Sequence, residues 1–324
     1  MTKGYSYDLI EYSTVTFREY ILKLMDAVDW ESKSILLSKL LKSIGKSKVQ
    51  RKFSDRKLLK LRAYILPWDV SVVSQHNIPI QVFTVSNSAI TLREANSIGI
   101  FLRLGGVNFS RTFIAYTEIP IDNLHGRVKV NARMILPPIL SSECVEDPRV
   151  NPDNPNDLYH VRVYYTPRYK VKGSVLTFHT LTLTLHTKIT YKSGEAYPST
   201  LEPILFEENN RVFIINDFRD SFPLSENAML IRPWFEDPGI GGIFVGQREG
   251  HVVSFKTLEP IPELAPIPIV ELKTGANASV KISSNEYLLI FHSVENPHGV
   301  YYTFAAIFSS TCLLYTSPSP RDRG

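Results

Sequence analysis

Cysteine is almost missing from this 324-residue chain, which has only Cys144 and Cys312, too few for a disulfide framework. Cys144 lies three residues before Asp147, but without a clear histidine partner it reads as a packing cysteine rather than a nucleophile. Long apolar runs are lacking too. None approaches the roughly 18 residues a membrane helix needs, and Asp8 and Glu11 stand where a signal peptide would have its apolar stretch. The expectation is a cytoplasmic protein with no membrane partner. Charge of one sign is not in excess: 36 Lys and Arg face 32 Asp and Glu, a net of +4, too small to imply a nucleic-acid partner. Several catalytic signatures are absent as well. There is no Gly-x-Ser-x-Gly elbow. Gly239-Ile240-Gly241-Gly242-Ile243 lacks the lysine and serine of a phosphate-binding loop and reads as a turn. His179 and His186 have no third ligand at a useful spacing, so no metal is expected.

What is present divides the chain by pattern. From about Thr16 to Leu61, apolar residues recur three and four apart: Ile21, Leu24, Met25 and Val28, then Ile35, Leu36, Leu40, Leu41 and Ile44. This spacing predicts two or three amphipathic helices. The stretch from Lys42 to Arg62 carries nine Lys and Arg with almost no acid among them, but no aromatic residues alternate with the charges to stack bases, so it reads as a solvated helix face. From Ala63 onward, short runs rich in Val, Ile, Thr, Tyr and Phe are separated by Pro, Gly, Asn and Asp, which predicts strands. The clearest alternation lies between Val175 and Tyr191, read as a hairpin, with Leu181, Leu183 and Leu185 opposite Thr182, Thr184 and His186. No helical pattern separates these strands, which excludes a doubly wound sheet and leaves a sandwich, a β-helix or a propeller. The final residues, from Cys312 to Gly324, are similar to translated sequencing-adapter read-through. The expected organisation is a helical segment over 1–62, a β domain over 63–309 and a non-native tail over 310–324, cut from a longer natural protein.

The segment Val145-Glu146-Asp147-Pro148-Arg149-Val150 places an acidic pair against a proline and an arginine. Pro148 fixes its own φ and is expected to hold Asp147 extended at a strand edge. Together with the strand-like Leu158 to Thr166 and its neighbours, the segment resembles the acid-bearing motif of glycoside hydrolase family 130, the mannoside phosphorylases and related hydrolases. The resemblance runs from about Val82 to Phe308. Ser86-Asn87-Ser88-Ala89 and Ile100-Phe101-Leu102-Arg103 are similar to the family's first blade, whose asparagine and arginine hold the sugar. Ile204 to Glu207, leading to Val212 through Arg219, is similar to a third-blade segment whose arginine contacts phosphate. Ala278-Ser279-Val280-Lys281-Ile282 and then Tyr287 to Ser293 resemble the family's lysine loop and the strand ending in histidine. There are departures. Gly275 to Ser279 lacks the usual proline run, Ser293 replaces a frequent glycine, and the closing strands with a further sugar-contacting acid are expected to be missing.

The resemblance implies a mainly β protein: a five-bladed β-propeller, its last blade incomplete, preceded by the helical segment, with the active site at the central channel. It implies inverting phosphorolysis of a β-mannoside, with Asp147 as general acid acting directly or through a sugar hydroxyl. Asn87, Ser88, Arg103, Arg149 and His292 would contact the substrate, and Arg111, Arg219 and Lys281 the phosphate. No cofactor is implied, only inorganic phosphate as co-substrate; assembly into a homo-oligomer stays open. The chemistry suits this set. An inverting hydrolase needs a second carboxylate to activate water, whereas phosphate is already a nucleophile and must instead be held, by arginine through paired donors and by lysine as a point charge. Two alternatives remain: a β-mannoside hydrolase with Glu207 or Glu208 as base, and a non-catalytic carbohydrate-binding propeller.

Overall fold

The computed structural model describes residues 5–9, 13–47, 51, 60–94, 96–106, 111–169 and 176–309, with backbone alone for 165–169 and 176–179. The expected non-native tail, most of the basic stretch and the side chain of His179 fall outside them. The described chain is mainly β, with its strands in sheets of six, eleven, two and six. Two α-helices occur among these residues, α1 (Thr14–Asp26) and α2 (Glu31–Ser43). Packing divides the chain into two units. One comprises Met1–Ala27, Leu61–Val150 and Pro155–Pro203; the other comprises Val28–Lys60, Asn151–Asn154 and Ile204–Gly324.

In the first unit, β1 (Thr84–Arg93), β2 (Ser97–Gly105), β3 (Phe113–Pro120) and β4 (Val130–Leu136) form an antiparallel meander. Its core is made of Ile98, Ile100, Leu102, Leu104, Phe113 and Ala115 with their neighbours. A second sheet holds β5 (Glu143–Asn151), β6 (Asn154–Tyr169), β7 (Leu176–Lys192) and the short β8 (Thr200–Pro203). The expected hairpin around residues 175–191 is instead the single strand β7, paired along its length with β6. Its alternation is real, but Thr182, Thr184 and His186 are buried like the leucines opposite them. The polar face is covered, so alternation here marks two packed faces and no solvent side. α1 begins at Ser13, which exchanges capping hydrogen bonds with Thr16, and it buries Phe17, Tyr20, Ile21 and Leu24. Tyr20 reaches the Leu201 carbonyl at 3.1 Å, and Phe17 lies 6.2 Å from the Tyr164 ring. Beneath it, Arg162 is paired with Glu143, both side chains fully out of solvent. Cys144 packs against Val161 and Val163.

In the second unit, α2 buries Leu36 and Leu40, whereas Ile35 and Leu41, expected on its apolar face, are exposed. Leu40 presses on Gly242, where a Cβ would lie 2.5 Å from Leu40 Cδ1, so the glycine pair read as a turn also admits a helix. The candidate site residues of this unit lie on three stretches of strand: β9 (Leu205–Glu208); β10 (Phe218–Ser225) with β11 (Ala228–Phe235); and the meander β12 (Glu271–Lys281), β13 (Glu286–Glu295) and β14 (Tyr301–Ser309).

Candidate functional site

Asp147 lies in β5 and is buried. Its Oδ1 accepts from Asn87 Nδ2 and from Arg103 Nη1, each at 2.7 Å. Arg103 Nη2 is 2.9 Å from Glu146 Oε1, so one guanidinium holds two successive carboxylates. Regular strand geometry forbids this, because neighbouring side chains point to opposite faces. The backbone resolves the conflict: Asp147 has φ 48, a left-handed conformation, and the extended geometry expected from Pro148 is not adopted. The preference imposed by the following proline is local, and the contacts of the carboxylate override it. Asn87 is also left-handed, with φ 43, in a bulge where the β1–β2 register shifts between Ser86 and Ala89. A bulge re-aims a side chain, and this one turns Asn87 onto Asp147. Asn87 and Ser88 are exposed; Arg149 is buried, its Nη1 donating to the Pro148 carbonyl at 2.9 Å. Arg111, expected at phosphate, is exposed in the turn before β3.

A second polar cluster occupies the other unit. Arg219 on β10 is in register with Arg232 on β11. Next to it Asp220, left-handed at φ 48, accepts on Oδ2 from Arg232 Nε at 3.1 Å and Nη2 at 2.7 Å. Gly275 on β12 faces His292 on β13. A Cβ on Gly275 would lie 2.5 Å from Asp220 Oδ2 and 2.9 Å from His292 Nε2, so carboxylate and imidazole converge on the space this glycine leaves. His292 Nδ1 is 2.6 Å from Asn277 Oδ1.

Lys281 does not join them. It pairs with Tyr287 in the register, while Gly275 pairs with His292; six strand residues place the two roughly 20 Å apart. Its Nζ lies 3.3 Å from Asp153 and over the Tyr287 ring, and the Asp153 hydrogen bond holds the ammonium above the ordinary lysine range. Of the expected phosphate residues in this unit, Arg219 lies in register with Arg232 and beside Asp220 in the chain, and Lys281 is tied to Asp153. Asp220, Arg232 and Asn277 went unnoticed in the sequence. Arg232 left a signal, an arginine inside the apolar run Met229 to Phe235, because a buried charge needs a partner. Asn277 left none, since its role depends on which strand lies opposite.

No family model matches the chain, and no curated protein matches it. Solved structures that the chain matches include a glycosyl hydrolase from Bacteroides ovatus, 11% identical over 82% of this chain and 79% of that one, with a TM-score of 0.41. Another is MPT-4, a mannose phosphorylase from Leishmania mexicana in complex with phosphate ion, 11% identical over 76% of this chain and 69% of that one, TM-score 0.40. A third is the Bombyx mori GH32 beta-fructofuranosidase BmSUC1, 10% identical over 71% of this chain and 47% of that one, TM-score 0.39.

Proposed function

We propose that this chain is a carbohydrate-active enzyme in which Asp147 moves the proton that glycosidic cleavage requires. One observation supports this above the others: a buried carboxylate and the asparagine that donates to it are both left-handed, at φ 48 and φ 43. Asn and Asp enter this region more readily than other non-glycine residues, but both of these sit within strands, one of them in a bulge, where surrounding contacts must over-determine the conformation, as they do at functional sites. Asn87 and Arg103 both donate to Oδ1 and hold the carboxylate in place. Asp147 acts directly or through a sugar hydroxyl, with Asn87, Ser88 and Arg149 contacting the sugar.

The finer reading is inverting phosphorolysis of a β-mannoside. A phosphate oxygen attacks the anomeric carbon, the bond to the glycosidic oxygen breaks, and that oxygen receives the proton moved by Asp147. The products are a mannose 1-phosphate and a shortened acceptor. This reading rests on the likeness of Val145 to Val150 and of the His292 strand to the mannoside phosphorylases. Arg219 keeps the phosphate contact, and His292 the substrate contact, that the resemblance implies for them. The five-bladed architecture belongs to the same proposal, β1 to β4 and β12 to β14 being antiparallel meanders of the kind that make a blade.

The test is turnover of a β-mannoside with and without phosphate. Phosphorolysis predicts a sugar phosphate formed only when phosphate is present. Asp147→Asn should lower kcat by roughly 100-fold to 10,000-fold, the usual contribution of a positioned acid, with phosphate saturation little changed. Equal turnover without phosphate would instead identify a hydrolase using Glu207 or Glu208 as base. Sugar binding with no turnover in the unaltered chain would identify a binding module.

A further inference from the structure

We propose that the outer face of a small parallel sheet in the first unit, together with the turn that follows it, docks a uronate-bearing glycan. The surface is built from residues that take no part at Asp147. The sheet pairs Ala63–Tyr64 with Gly126–Arg127. Two flanking bonds extend its ladder, Gly126 N–H to the Arg62 carbonyl and Val128 N–H to the Tyr64 carbonyl. Side chains alternate between the two faces of such a ladder. Ala63, Ile65, Val128 and Val130 pack into the core, so Arg62, Tyr64, Arg127 and Lys129 share the outer face, and all four are exposed. Arg62 is the last residue of the basic stretch, and the aromatic partner that stretch lacks comes two residues later.

The following turn, Pro67–Asp69, adds Trp68. Asp69 is buried and closes the turn: its N–H donates to the Leu66 carbonyl, and its Oδ2 accepts from the Leu66 N–H at 3.2 Å. The same carboxylate accepts from Arg127 Nε at 2.9 Å and lies 2.7 Å from Arg127 Nη2. The turn that carries Trp68 is thereby fastened to the strand pair that carries Tyr64. Trp68 is 70% and Tyr64 45% exposed. Large aromatic rings held in water on an anchored support forgo the stabilisation of burial, and exposed apolar surface rimmed by polar groups marks interaction sites.

Charge and rings together select the ligand. Asp69 neutralises Arg127, whereas Arg62 and Lys129 form no ion pair among the described residues; Lys129 is close enough for its charge to act on Asp69. Two cations are left to attract an anion. A polynucleotide carries a phosphate at every residue, and its binding draws on many cations. A glycan with an occasional carboxylate matches the sparser charge, and the C–H faces of its pyranose rings can cover the apolar bodies of Trp68 and Tyr64. An acidic peptide would meet the charges and leave the rings uncovered.

Calorimetric titration of the full chain with trigalacturonate tests this. The unaltered chain should bind it, less tightly as salt rises. Trp68→Ala and the double variant Arg62→Gln/Lys129→Gln should each weaken binding by at least about five-fold, the loss that marks a side chain carrying binding energy. These side chains are exposed, so urea midpoints and β-mannoside turnover should match those of the unaltered chain. Binding is read without turnover, so failure of the Asp147 reading would leave this result intact. Absence of trigalacturonate binding, or equal binding by the variants, would overturn the proposal. Mannotriose bound as tightly would overturn it too, since the cations would then select nothing. Tighter binding of oligothymidylate or of oligoglutamate would refute the glycan and assign the face to nucleic acid or to an acidic protein. Self-association of the unaltered chain that Trp68→Ala abolishes would refute it by assigning the face to a second copy.

Discussion

The methyl group that Gly275→Ala adds would overlap both Asp220 and His292. Neither neighbour can retreat easily, because Asp220 is tied to Arg232 and His292 to Asn277. We expect Gly275→Ala to cost about 1–3 kcal/mol, the usual penalty of overpacking, and, if His292 contacts the substrate as proposed, to weaken mannoside binding at the same time. Urea unfolding and a mannoside titration check the two parts. An alanine variant of unaltered stability and affinity would show that the carboxylate and imidazole do not need their closeness. At Asp147 the balance between local and distant forces ran the other way from expectation. Asn87, Arg103 and Asp147 were legible as a set from motif order, and they do meet at one oxygen. The left-handed backbone was not legible, since a proline's effect on the residue before it is a local preference while the contacts come from another sheet.

His186 shows the same limit in an element. It stands on β7 between Asp157 of β6 and Glu202 of β8, each ring nitrogen 3.1 Å from a carboxylate oxygen. The short β8 pairs with β7 only at Leu185 with Pro203 and His186 with Glu202, so this imidazole clasps a strand that has few other ladder bonds. Burial lowers its pKa, but the hydrogen bonds to Asp157 and Glu202 outweigh burial, and the net shift is upward. A folded-state value above the unfolded one gives stability that is complete below about 6.5, the ordinary histidine value, and is lost as pH rises through the raised value. Urea midpoints measured across that window should therefore fall with rising pH in the unaltered chain and fall less in His186→Gln. Parallel pH dependence in the two proteins would show that the clasp adds no net stability.

Across the whole molecule, the chain passes between its units more than once, and the helical segment is divided: α1 belongs to one unit and α2 to the other. α1 alone buries Phe17, Tyr20, Ile21 and Leu24. At about 1.5–3 kcal/mol per buried large side chain, that contribution is comparable with the roughly 5–15 kcal/mol by which a typical domain is stable. Deleting residues 1–62 is expected to abolish cooperative unfolding in both units and to yield aggregated protein. Recovery of a soluble, cooperatively melting chain would show that the helices are an appendage.

Composition and periodicity were enough for the mainly β character, for the helices near the N-terminus and for about half of the long strands, because burial writes a two-residue or 3.6-residue repeat into the chain wherever one face is covered. They failed at β7, where both faces are covered and the strand reads as a hairpin, and at the opposite extreme on α2, where Ile35 and Leu41 read as core although they are exposed. The string from Val145 to Val150 was also visible as unusual, although its left-handed backbone at Asp147 was not. The cluster of Asp220, Arg232, Gly275, Asn277 and His292 was not. Its members sit on four strands, and their meeting depends on register and on a one-residue bulge in β12. A shift of one residue turns a side chain to the other face of a sheet, so nothing in the order of residues alone could have separated His292 facing Gly275 from Lys281 at the far end of the same strand pair.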